Sequence, residues 1–213
     1  MESVVRGGTK WKRFAVVMVP GIAATAVIGM ALAQGALAAS FAVSGQNFKV
    51  SADELHGFGF VQYGAMDAQV GGTTVPVAVS GFNNADITKM CQSVITHVPV
   101  FGDVTLRLEA GGKGTPVHAE NLYIDLDQLN ADAEFKNINI GVPAGAAGNN
   151  KDATGIDGPH KAGQGPQNPG AFAQEAQEAT LTKVQQTAWA TSAGTFKLSG
   201  LSLSVKKGNN ECY

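Results

Sequence analysis

Charge, cysteine and catalytic signatures are all scarce in this 213-residue chain, and each scarcity removes a class of function. Charged residues make up only 15% of the chain, and the formal net charge is -2. Arg6, Lys10, Lys12 and Arg13 gather at the N-terminal end. The remainder therefore carries no basic patch to neutralise phosphates, which excludes nucleic acid as a partner. No Gly-x-Ser-x-Gly pentapeptide occurs, and strands do not alternate with helices, so the nucleophile elbow and its α/β-hydrolase scaffold are missing. With no His-x-x-x-His or Cys-x-x-Cys spacing, zinc has no ligand set, and neither a metal nor a cofactor is expected.

The first forty residues set the compartment. Behind the basic lead, Phe14 to Ala33 is nearly free of charge, and Ala36-Leu37-Ala38 before Ala39 has the small-x-small pattern of a signal-peptidase site. Residues 1–38 read as a signal peptide with a mature start at Ala39, or as a retained anchor, since the apolar run approaches the roughly 20 residues that span a bilayer. No cysteine follows the run, which argues against a lipoprotein anchor. The expected location is secreted or cell-surface, with membrane contact only through this segment. Outside the cytoplasm the two cysteines, Cys91 and Cys212, are expected to form a disulfide. The loop it closes contributes on the order of 4 to 5 kcal/mol in the chain-entropy model.

Alternation is what the mature chain has in abundance. Leu122, Ile124 and Leu126 share one strand face, with Tyr123, Asp125 and Asp127 on the other. Val104, Leu106 and Leu108 behave in the same way, as do Val75, Val77 and Val79, and Leu201, Leu203 and Val205. Pro76 marks its strand as an edge. The fold class predicted is all-β, an antiparallel sandwich or curled sheet over residues 39–213, with an apolar helix before it and a Gly- and Pro-rich loop at 142–170. After Phe135 the apolar row shifts phase to Ile138 and Ile140, which fits a bulge that bends the sheet. Asp86 to Ile95 is ambiguous: Ile87, Met90, Cys91 and Val94 fit one or two turns of helix. Ala171 to Glu178 reads as helical, and Thr180 to Thr191 as strand.

Few residues offer chemistry. A hydrolytic set assembled from distant positions would draw on Ser80 or Ser93, His97 or His118, and Asp125. Asn150, Asp152 and Gly155 sit like the start of a calcium loop, but Thr154 and Lys161 occupy two of its ligand positions. Asp125 and Asp127 share a face on which a cation could sit. The apolar alternative is GFGFVQYG. There Phe58 and Phe60 point one way, Tyr63 follows, and Gly57 and Gly59 leave the opposite face bare for a flat ligand or another backbone. With a bent sheet, these residues make a groove for an acyl chain or a sterol-like ring.

GFVQYG from Gly59, CQSV from Cys91, ENLYIDLDQL from Glu120, FKNINIG from Phe135 and QTAWATSAGTFKLSGLSLSV from Gln186 resemble a family of small exported actinobacterial proteins. Its members carry either no functional name or the name cholesterol esterase. The resemblance spans nearly the whole mature chain and implies secretion, a β-rich domain and sterol-ester hydrolysis. It assigns no catalytic residue, and Gly141-Val142-Pro143-Ala144 stands where an acidic run is expected. Three functions are left in view: a carboxylic ester hydrolase without the usual motif, a non-catalytic lipid binder, and a structural protein of the cell envelope or spore surface.

Overall fold

The alternation seen in the sequence becomes eight strands in the computed structural model, which describes residues 44–149, 156, 158 and 166–213. In chain order they are β1 (Phe48–Ala68), β2 (Thr74–Thr88), β3 (Met90–Val98), β4 (Gly102–Ala110), β5 (Val117–Pro143), β6 (Phe172–Ser192), β7 (Thr195–Lys197) and β8 (Ser202–Lys207). The described residues contain no helix, and every pairing is antiparallel. The expected all-β curled sheet is what forms.

Four long strands close on themselves. β1 pairs with β2 and β6, and β5 pairs with the same two, so the sheet becomes a barrel. The ring is complete only where Ala78–Ile87 of β2 meets Val117–Leu126 of β5. Beyond that zone Gln128–Pro143 of β5 pairs with β6 alone, and Thr74–Val77 of β2 pairs with β1 alone. The barrel is thus split along one side. Pro76 lies in this two-stranded section, opposite Met66. Met66 turns its N–H and C=O to the Gln167 carboxamide, at 3.2 and 2.7 Å, so the Met66–Pro76 pair needs no ladder bond and the missing proline donor costs nothing.

Two regions whose spacing fits a helix, residues 86–95 only ambiguously, lie almost wholly in strands, and one mechanism explains the clearer case. Lys89, with φ 49°, joins β2 to β3 and adds a residue to the alternation. Ile87 and Met90, three apart, therefore face the same core and imitate helical spacing. Ala171–Glu178 falls mostly in β6, where Ala173, Ala176 and Ala179 are fully buried because their small side chains let neighbouring strands approach. The phase shift after Phe135 also has a different origin from an inserted residue. Lys136 and Ile138 pair with Glu178 and Ala176 without a register change. Asn137 alone turns to φ 53°, and Gly59 on the far side of β6 turns to φ 65°. The bend thus crosses three strands at one level, while true register shifts occur at Asp125/Leu126, Leu126/Gln128, Asn130/Asp132 and Ile140/Val142.

Two cores result. Leu122, Ile124 and Leu126 point into the barrel with Phe60, Phe82 and Leu181. The face expected to be wet is partly covered, because Tyr123, Tyr63, Val77 and Val79 form a second cluster with Ala144 and Ala173. Described parts of the Gly- and Pro-rich stretch fold over it. The Ala144 and Gly145 N–H groups donate to Ala171 and Pro169 carbonyls at 2.9 and 2.8 Å. Gly148 and Gly158 then meet backbone to backbone over Val61, an approach that a side chain on either would block. Glu175, 1% exposed, accepts the Gly148 N–H at 2.7 Å and an Asn139 N–H at 3.2 Å.

β3, β4 and β8 extend the sheet as a wing. The last residues cross one of its faces: the Asn210 N–H donates to Thr105 Oγ1 at 3.0 Å, Arg107 donates to the Glu211 carbonyl at 3.1 Å, and the Cys212 N–H donates to Ser93 Oγ at 3.1 Å. Cys212 bonds Cys91 across a separation of 121 residues, so the expected disulfide is present.

Candidate functional site

The barrel interior is not filled. A partly open cavity of about 150 Å³ lies among side chains of β1, β2, β5 and β6. Phe60 anchors it, with its ring 5.3 Å from that of Phe82 and 5.1 Å from that of Phe135 between centroids. These tilted aromatic contacts fix the wall while leaving space beside it. Leu55, Ile124, Leu126 and Leu181 complete most of the apolar surface. On the part of β5 that pairs with β6 alone, Ala131 and the exposed Ala133 contribute only methyl groups, which places a thin rim where the barrel is split. A second space of about 20 Å³ shares Leu55, Ile124 and Gln186 with the first.

Three polar side chains interrupt this lining, and no charged residue does. Gln174 Nε2 donates to Gln62 Oε1 at 2.6 Å, and Gln62 Nε2 donates to Ser80 Oγ at 2.8 Å. Ser80 is buried at the end of this chain. Gln186 is 6% exposed and makes no side-chain hydrogen bond among the described residues. It stands in the inward row Val184, Gln186, Ala188 of β6, a polar residue where the alternation calls for an apolar one.

The residues singled out from sequence are dispersed. Ser80 lines the cavity, whereas Ser93 lies under the C-terminal tail as the acceptor of the Cys212 N–H. His97 pairs with Asp103 at 2.9 Å on the exposed β3–β4 hairpin, and His118 pairs with Asp86 at 2.8 Å on the outside of the barrel. Neither histidine hydrogen-bonds either serine. Asp125 sits in the second cluster, where the Asp67 carboxyl hydrogen-bonds it. Burial raises the Asp67 carboxyl above the usual range, and that hydrogen bond offsets part of the rise. Asp127 is exposed and separated from Asp125 by two register shifts. The calcium-like positions at Asn150, Asp152, Thr154, Gly155 and Lys161 lie outside the described residues. Among the described residues no group of three or more His, Cys, Asp or Glu is placed to hold a metal.

The aromatic candidates divide. Phe60 is 3% exposed and lines the cavity, while Phe58 is 47% exposed and stacks edge-on against His56 at 4.9 Å. They do not point the same way as the spacing predicts, because Gly59 at φ 65° turns the strand between them. Tyr63 belongs to the second cluster, where burial first, then Tyr123 and Asp125, push its phenol up. The bare face of Gly57 does admit a flat ring, and that ring is Phe82 from the neighbouring strand. Sequence reasoning missed Gln62, Gln174, Gln186 and the rim alanines. Only Gln186 carried a legible signal, as a polar break in an apolar row.

No curated protein matches this chain, and no solved structure does. The disulfide fits an oxidising compartment. No helix among the described residues is long and apolar enough to cross a membrane. The match that does exist covers residues 44–213, all of the described barrel and wing: the chain belongs to the family of unknown function DUF6230.

Proposed function

We propose that this protein is an exported binder of apolar molecules, which it holds in the split barrel without altering them. The observation that carries this reading is the partly open, uncharged cavity of about 150 Å³ behind a rim of alanine methyls. A cavity of about that size accepts a benzene-sized guest. A single ring or a short alkyl segment therefore suits the interior, and the four fused rings of a sterol do not. Sterol-ester hydrolysis, the activity implied by the family resemblance, has weaker support. It needs a serine, a base and an oxyanion site within hydrogen-bond reach, and no histidine lines the cavity beside its one serine, Ser80.

Burying six carbons gains roughly 5 kcal/mol at about 0.8 kcal/mol per group, before the cost of association. The net gain is smaller, so the Kd for benzene itself is no tighter than the order of 1 mM. Thermal unfolding with and without benzene tests the reading. At ten times Kd the midpoint rises by about 3 to 5 °C in a protein of this size. The rise disappears in Ala131→Phe, whose ring fills the cavity. An unchanged midpoint in the parent protein, or release of fatty acid from a sterol ester, overturns the proposal.

A further inference from the structure

The polar groups inside the cavity say what kind of apolar molecule it suits. Gln186, 6% exposed, makes no hydrogen bond to the described protein and borders both internal spaces, so its carboxamide opens onto the cavity. The Gln174–Gln62–Ser80 chain raises a related point. Each amide donates onward, so the Ser80 oxygen is used as an acceptor while its own O–H donates to no described residue. Ser80 is buried, and it lines the same cavity. The free groups are thus the Ser80 O–H, the two N–H groups of Gln186 and the Gln186 carbonyl. Donors as well as acceptors are therefore open to a ligand, and no Lys, Arg or His lines the space to hold an anion. An ionised carboxylate entering this interior would surrender its hydration without a counter-charge.

Resting on the binding function proposed above, we infer that the cavity is built for a neutral ligand that carries an acceptor oxygen, an alcohol, ester or amide, which takes hydrogen bonds from Gln186 and Ser80. Free fatty-acid anions and phosphate esters are excluded from the interior by the same chemistry. The apolar remainder of such a ligand leaves through the split beside Ala133.

Benzene, phenol and benzoate, titrated at pH 7 and followed by calorimetry, separate the alternatives. Benzene matches phenol in shape and lacks only the hydroxyl, while benzoate adds charge. The expected order is phenol at least as tight as benzene, with benzoate at least tenfold weaker than phenol. In Gln186→Leu, phenol falls about tenfold relative to benzene measured on the same variant. Gln186→Met serves as a second variant of similar volume should the leucine fail to fold. If benzene does not bind the parent protein, the binding function itself is wrong. If benzene binds but phenol is tenfold weaker, or benzoate equals phenol, or Gln186→Leu leaves the phenol-to-benzene ratio unchanged, then the neutral-oxygen assignment fails and the binding function stands.

Discussion

Removing the disulfide with the double change Cys91→Ala and Cys212→Ala should lower the melting point steeply while leaving the folded barrel intact. The bond closes a loop of 121 residues, and the chain-entropy relation assigns about 5 kcal/mol to a loop of that length. At about 2–4 °C per kcal/mol for a protein of this size, the midpoint falls by roughly 10 to 20 °C. The native state should change little, because the tail has other anchors. Lys49 holds Glu211 at 3.0 Å, Arg107 holds the Glu211 carbonyl, and Thr105 and Ser93 accept backbone N–H groups from Asn210 and Cys212. Far-ultraviolet circular dichroism at 25 °C should therefore match the parent. Truncation after Lys207 in the same background removes those anchors as well and leaves Thr105 and Ser93, both almost completely buried, open to water; it should cost more than the double variant. A melting point within about 2 °C of the parent, or a truncation no worse than the double variant, would refute this account of the tail.

Three further outcomes follow from single contacts. Glu175→Leu removes the acceptor for the buried Gly148 N–H and should cost about 1–3 kcal/mol, with Glu175→Gln milder; faster proteolysis near residue 148 is the check, and equal rates in both variants contradict it. Gly57→Ala drives a methyl into the Phe82 ring and should destabilise by about 1–3 kcal/mol in urea unfolding, while Gly64→Ala, whose new methyl meets nothing, should not. Asp67 tests the pH dependence. Its carboxyl is raised by burial, so the native state is favoured while it is protonated, and that contribution is lost as pH rises through the folded pKa. Asp67→Asn should therefore raise the melting point at pH 7 and leave it unchanged near pH 3; the same shift at both values would exclude the titration.

Much of the strand content was legible because period-2 alternation is a local property. Leu122, Ile124 and Leu126 had to share a face once the segment was extended, whereas in β4 the expected faces are exchanged, with Leu106 41% exposed and Thr105 fully buried under the C-terminal tail. Legibility failed where one backbone angle resets the count. Lys89 at φ 49° made Ile87 and Met90 look helical, and Gly59 at φ 65° sent Phe58 and Phe60 to opposite environments. Positive φ at a lysine is enforced by its neighbours rather than by its own preference, so nothing at residue 89 announced it. Part of the face predicted to be wet was dry for a comparable reason: its cover, Ala144 with Gly148 and Gly158, comes from a stretch without periodicity.

The sequence by itself determined an antiparallel β protein with a pair of cysteines suited to an oxidising environment, because alternation and cysteine count need no knowledge of what lies across the chain. The tertiary structure alone decided that β1, β2, β5 and β6 close into a split barrel, and that Phe60, Ser80, Ala133 and Gln186 surround one space. The physical reason is that a cavity is a volume left unfilled when distant strands meet, and a missing volume has no residue of its own to mark it.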